Sequence, residues 1–389
     1  VVTLAGATLA MLVSTRDRPG LQFGEAVGPL RLPGAVLVGC VLMGAYVSPF
    51  PEVTIPKLSG IVLGMLVLRA IVLTGTTRRR VWLLTWAYLI VGACVALVGL
   101  IVTPAGDKNY AVVLWVGSKI PHLIRGLPGA EAGVNPNALG GSVLLFLPCA
   151  SVLALYCATH HPSHVRGGVQ RALLAVAVVA LCACALLLSE SKTAWISAAL
   201  TAFVVASARH RAAAVVCGAA TIALVGWVWF SPGYDISVVG RGRTSIWAFA
   251  IENVQAHPIT GVGLGAFRQI ATGASLSGAP VVAHAHNVYV QVALDLGIPG
   301  LVAYLTLLGL TTTMALEVLH GSGAAEQALA LGLWASVFAV HVFGISDAIA
   351  PGAKVGVALW WSVGLIAALF RIERSASQCD GPQDRERMW

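Results

Sequence analysis

The chain has 389 residues, 58% of them hydrophobic and only 10% charged, with a formal net charge of +8 and a mean hydropathy of +0.85. A soluble fold of this length needs far more charge to solvate its surface, so a water-soluble globular protein is excluded. The basic excess is explained first by the cytoplasmic loops of a membrane protein, and no nucleic-acid partner is expected.

In chain order, apolar spans are expected at 1–13, 33–50, 58–76, 81–103, 138–158, 172–188, 193–208, 212–230, 298–317, 327–345 and 354–371. Most approach the roughly 20 helical residues that cross the hydrocarbon core. The first is short and starts without Met, so a cut N-terminus or the remnant of a longer helix is expected there. Orientation follows from loop charge. Placing 14–32 inside gives the inner segments Arg16, Arg18, Arg31, Arg78, Arg79, Arg80, Arg166, Arg171, Arg209 and Arg211, then Arg371, Arg374, Arg385 and Arg387. The outer segments hold fewer: Lys57, Lys108, Lys119, Arg125, Lys192, Arg241, Arg243, Arg268 and Lys354. The positive-inside bias therefore puts the C-terminal tail in the cytoplasm. The expectation is an all-α polytopic protein of about 11–12 transmembrane helices, with one membrane domain over 1–371 and a polar cytoplasmic tail over 372–389.

Two outer loops, 104–137 and 231–290, are longer than connection requires. Within the second, Trp247, Ala250, Ile251 and Val254 recur at helical spacing. The pattern predicts an amphipathic helix that starts after Thr244 or Ser245 as N-cap, stops near His257-Pro258, and lies on the membrane surface or covers a cavity. The eight cysteines form neither CxxC pairs nor Cys/His ligand spacings, so no structural metal is expected.

Basic residues on the outer side run against the charge trend. Arg241 and Arg243 in Val-Gly-Arg-Gly-Arg-Thr-Ser-Ile-Trp either anchor the interface by snorkelling or clamp an anion, since guanidinium forks match phosphate oxygens. The predicted helix start beside them adds free N–H donors. Lys192, in Ser-Glu-Ser-Lys-Thr-Ala-Trp, either pairs with Glu190 or supplies a second cation. His284-Ala-His286-Asn287 suits a general base, because imidazole titrates near neutral pH. Spacing does not say which histidine acts, and no third metal ligand stands at a recognisable distance in sequence. Thr260 to Phe267 is glycine-rich but lacks a following Lys-Ser/Thr and a preceding strand, so it is a tight turn and not a nucleotide loop.

His286-Asn287, nine residues and Gly297-Ile-Pro-Gly300 together resemble the signature of the O-antigen ligase and polymerase superfamily. Arg243-Thr-Ser-Ile-Trp247, Pro258 and Gly261-Val-Gly263-Leu-Gly265-Ala-Phe267 are similar to that family's Arg-x-x-x-Trp … Pro-x-x-Gly-x-Gly run. Ser189-Glu-Ser191-Lys192 resembles its Ser-x-Ser-Arg motif, and Asn135-Pro-Asn137 its Asn-Pro-Asn; the likeness covers about 135–300 in motif detail. It implies a GT-C-like integral membrane glycosyltransferase with no metal or other cofactor. Such an enzyme, in the bacterial inner membrane with its site facing the periplasm, moves a glycan from undecaprenyl diphosphate to a lipid A–core, glycolipid or glycan acceptor. By position, His286 would deprotonate or orient the acceptor hydroxyl, and Arg243 would bind the diphosphate. Lys192 stands where the family has a second arginine and loses the bidentate fork, which the nearby Arg241 would offset. His284 and Asn287 complete the expected binding set. A polymerase shares these motifs and is the nearest alternative. A transporter would place more ionisable groups near the middle of its spans than Arg69 and His341.

Overall fold

A computed structural model describes residues 28–103, 135–160, 166–208, 210–230, 236–274, 284–349, 352 and 355–379. The expected span 1–13 and most of the expected loop 104–137 lie outside the described residues. Thirteen α-helices follow one another with no strand among the described residues: α1 (Arg31–Val47), α2 (Pro51–Thr74), α3 (Arg78–Val102), α4 (Pro136–Val143), α5 (Leu147–His160), α6 (Arg166–Leu188), α7 (Lys192–Ser207), α8 (Arg211–Phe230), α9 (Ile236–Ala256), α10 (Phe267–Gly273), α11 (Val288–Gly321), α12 (Ala324–Phe343) and α13 (Val357–Cys379). In hydrocarbon every backbone polar group must be satisfied within the protein, and a helix does this along its own length.

Among the described residues, seven helical stretches are long and apolar enough to cross a membrane. They are Gly28–Val47, Pro51–Thr74, Arg78–Val102, Pro136–His160, Gly168–Leu188, Val288–Gly321 and Ala324–Phe343. The chain is an all-α polytopic membrane protein. Helix α7 and the part Arg211–Trp227 of α8 are apolar but shorter and fall at the expected spans 193–208 and 212–230. Helix α13 covers most of the expected span 354–371 and runs on to Cys379, into the expected tail 372–389. The expected span 138–158 is interrupted, because α4 and α5 are separate helices joined through 144–146. The freed groups there find partners: the Tyr88 hydroxyl donates to the Leu145 carbonyl, and Cys149 N–H donates to Ser336 Oγ at 3.1 Å.

Helix ends gather on two faces. On one, Arg78 at the start of α3 pairs bidentately with Glu373 of α13 at 3.0 and 3.1 Å and stands 3.7 Å from Glu326 at the start of α12. There too, the Arg371 guanidinium donates to the carbonyls of Val72 and Gly75 at 2.9 and 3.2 Å, closing the C-terminal end of α2. The opposite face, the site face, joins the α1–α2 turn, the start of α11 and the end of α12, and carries the histidines. Lipid is as apolar as leucine, so helices associate through close packing at small residues. Gly64 lies against the Trp360 ring and Gly92 against Phe146, where any added Cβ would collide. A second, smaller core of Ile246, Ala250, Val262, Phe267, Ala285 and Leu294 joins α9 and α10 to the site face.

Candidate active site

The glycine-rich turn between α9 and α10 is stitched into the helix bundle by its backbone. Val262 N–H donates to Leu294 O at 2.8 Å, Leu264 N–H to Gly44 O at 2.8 Å, and the Thr54 hydroxyl to Leu264 O at 2.9 Å. Such close approach explains the residue type. A Cβ on Gly261, at φ 67, would strike the Leu294 carbonyl, and one on Gly263, at φ 104, would strike the Ser48 backbone. Opposite it, α11 breaks at Gly297, which has φ 71 and ψ −180, and Ile298 N–H turns to donate to Pro258 O at 2.8 Å. Pro299 follows directly, where a missing N–H costs nothing. The Gly-Ile-Pro-Gly run therefore marks a kink inside one long helix, and the helix begins at Val288, ten residues before the expected span 298–317.

That early helix start positions the histidines. Asn287 is the N-cap of α11: its Oδ1 accepts from the N–H groups of Tyr289 and Val290, both at 3.0 Å. Its Nδ2 donates to Ile345 O at 2.9 Å, so its amide is used for scaffolding on both sides. His286 precedes it at φ 49, a left-handed conformation rare outside glycine. His286 N–H donates to His284 Nδ1 at 3.1 Å, which leaves the proton of a neutral His284 on Nε2. Both rings face one carboxylate: His284 Nε2 stands 3.6 Å and His286 Nδ1 3.5 Å from Asp347 Oδ1. Burial and then the adjacent His286 push His284 down to about 4; Asp347 opposes this, while Lys57 and Arg243 add to it. Burial works to raise Asp347, but His286, His284 and the Ala348 N–H outweigh it and hold the carboxyl below its usual value.

Asp347, in the loop after α12, is the site residue that reading the sequence misses. Its signal was an acid placed just beyond a span, on the same side as the histidines. His284, His286 and Asp347 each offer one ligand atom within 4.8 Å of the others, so folding supplies the third metal-ligating group that sequence spacing lacks. Two cations act on the same spot, since the charges of Lys57 and Arg243 both reach His284.

The predicted helix start at Thr244 or Ser245 is corrected: α9 runs from Ile236, through Gly240 and Gly242, to Ala256. Glycine costs a helix interior about 1 kcal/mol but does not forbid it, and tertiary packing overrides so weak a breaker. Arg241 and Arg243 therefore stand inside the helix, and its N-terminal N–H groups do not adjoin them. The side chain of Arg241 lies outside the described residues. Arg243 is half-buried, and one turn on, Trp247 Nε1 donates to Ala285 O at 2.9 Å, docking α9 on the histidine loop. Through this bond one face of α9 packs on the histidine loop, while Ile251 points outward at 48% exposure.

Lys192 is the first residue of α7 and half-buried. The turn before it is tight, with Ser189 Oγ accepting from Ser191 N–H at 3.3 Å and Glu190 at φ 49. Gly140 of α4 packs on Ser189 and Ser191, and Gly141 beside it packs on Phe343 and Ile349, which bracket Asp347. Through α4, the Lys192 turn and the Asp347 loop share the site face. Among the described residues, Glu190 and His286 are the non-glycine positions with positive φ, and each sits in one of the sequence motifs. Backbone strain of this kind collects at functional sites.

The chain is thus a multi-crossing helical membrane protein in which His284, His286 and Asp347 come together at one end of the bundle. Residues 177–305 match the family model described as O-antigen ligase, and over that stretch the chain is O-antigen ligase-like, as its motifs imply. The match spans the Lys192 turn, α9, the glycine-rich turn and the histidine loop. A comparison with curated proteins returned no match.

Proposed function

We propose that this protein is a glycosyltransferase of the outer face of the bacterial inner membrane, moving a glycan from undecaprenyl diphosphate to an acceptor hydroxyl without a metal. The acceptor is lipid A–core or another cell-surface glycolipid or glycan. In this reading His286 uses Nε2 to take the hydroxyl proton, with Nδ1 turned to Asp347. The acceptor oxygen forms the new bond to the anomeric carbon as the bond to the diphosphate breaks. Arg243, with Arg241 and Lys192, meets the negative charge that develops on the leaving group, and fixed cations are most effective where charge forms. His284, neutral near pH 7, orients His286, and Asn287 holds the loop. One membrane domain over 1–371 carries the site.

The observation that supports this most is the His286–Asp347 approach of 3.5 Å, on a face where the charge of Arg243 is also felt. A base oriented by a carboxylate, beside a phosphate-binding cation, is what transfer from a diphosphate needs. Arg243 already places positive charge at His284, and this disfavours a further dication there. The test is purified protein in nanodiscs with an undecaprenyl-diphosphate-linked glycan and acceptor. His286→Ala is expected to lose about 10²–10⁴-fold in rate with insertion intact, and EDTA is expected to leave wild-type transfer unchanged. Retained activity in His286→Ala removes it as the base. EDTA inhibition reversed by one divalent ion would make the His284–His286–Asp347 group a metal site instead.

A further inference from the structure

We propose that Lys57, Asp295 and Gln291 are positioning residues that brace the His284–His286 loop; the kinetic consequences of this rest on the transfer reading, but the brace itself does not. The chain of contacts is continuous. Lys57 Nζ of α2 binds Asp295 Oδ2 of α11. Asp295 Oδ1 accepts from Gly265 N–H at 3.0 Å and from Gln291 Nε2 at 3.1 Å. Gln291 Oε1 then accepts from Ala285 N–H, between the two histidines, at 3.0 Å.

The order of donors and acceptors is forced. A carboxylate can only accept, so Gln291 must present its NH₂ group to Asp295 and its oxygen to Ala285. An ammonium on Oδ2 anchors the carboxylate, which would otherwise be an unpaired charge; Asp295 and Gln291 are each 3% exposed. Ala285 is consequently held at both backbone groups, its N–H by Gln291 and its carbonyl by the Trp247 indole. A strained residue persists only where its surroundings over-determine it, and His286 at φ 49 is the next residue. The Gly265 bond ties the same carboxylate to the glycine-rich turn. One ion pair thus connects α2, that turn and the histidine loop, although Lys57 and Asp295 are 238 positions apart.

The experiment pairs hydrogen exchange by mass spectrometry over 284–287 with steady-state kinetics on an undecaprenyl-diphosphate-linked glycan, using the full chain in nanodiscs. Gln291→Met keeps the Lys57–Asp295 pair and the Gly265 bond while cutting the link to Ala285. It is expected to speed exchange in the histidine loop alone and to lower kcat roughly 10–100-fold, the scale of a small misplacement of a reacting group. The donor KM is expected to stay within about twofold, because the group lost acts on the base and not on substrate binding. Asp295→Asn turns an NH₂ group toward Lys57 and is expected to behave likewise. The double variant Lys57→Gln with Asp295→Asn restores a donor–acceptor match and is expected to recover most of kcat. Wild-type exchange and kcat in Gln291→Met overturn the proposal, as does a raised KM at unchanged kcat. A double variant no better than Asp295→Asn removes Lys57 from the brace. Should Gln291→Met loosen the loop while His286→Ala stays active, the transfer reading fails and the brace stands. Should His286→Ala be inactive with Gln291→Met unaffected in both measurements, the brace fails and the transfer reading stands.

Discussion

His286 stands with Nδ1 3.5 Å from Asp347 and its backbone N–H given to His284, so the two imidazoles are not equivalent. His284 has Nδ1 engaged within the loop and Nε2 turned to Asp347, and His286 keeps Nε2 for an outside partner. Sequence spacing left open which histidine acts, because that distinction depends on Asp347, 61 positions beyond His286. Titration follows from the same geometry. His284 sits near 4 in the fold against an ordinary 6.5, so the unfolded chain binds a proton that the folded chain refuses. Its neutral form costs no stability above about pH 6.5, and stability is lost as pH falls from there toward 4. Thermal midpoints measured at about pH 7 and about pH 5 are expected to fall at the lower pH in wild type and to fall less in His284→Gln. Arg243 makes a second expectation at this scale. Arg243→Lys keeps the charge and loses the planar fork, a loss of about one charged hydrogen bond or 1.5–3 kcal/mol. Transfer is expected to drop roughly 10–100-fold on that basis, while Arg79→Lys, an exposed change on the far face, leaves the rate near wild type. Equal effects would remove the bidentate role.

Among the elements, the kinked helix α11 and the glycine-rich turn form one unit. Gly297 adopts φ 71 so that Ile298 can reach Pro258, and a Cβ there would collide with the Ile259 carbonyl. Gly297→Ala is expected to cost on the order of 1–3 kcal/mol. Gly309→Ala in the same helix, where an added Cβ meets nothing within 4 Å, is expected to be neutral or slightly stabilising. A thermal scan of the two in detergent checks this, and equal midpoints would contradict the packing account. The glycines and Pro258 were visible in the sequence as a tight turn, yet their partners were not, since Leu294, Gly44 and Ser48 are contacts of tertiary packing. Helix α9 shows the same division. Its end at Ala256 follows from His257-Pro258, a local signal. Its start was misplaced by nine or ten residues, because Thr244 and Ser245 look like N-caps in isolation.

Across the whole molecule, the order of crossings was the most legible property, because hydropathy and loop charge act along the chain and need no tertiary contact. The faces agree with it: Arg78, Glu326, Arg371 and Glu373 meet at one end, and the histidines and Asp347 meet at the other. The site was legible only as far as motifs reach. His284, His286 and Arg243 lie within the matched stretch 177–305, whereas Lys57 and Asp347 come from outside it and are delivered by helix packing. Deletion of the gene, complemented with wild type or His286→Ala, tests the central claim most directly when undecaprenyl-diphosphate-linked glycan is quantified in the membrane. The account predicts that the lipid-linked glycan accumulates in the deletion strain, returns to its normal level with wild type, and still accumulates with His286→Ala. Normal lipid-linked glycan in the deletion strain, or full correction by His286→Ala, would contradict it.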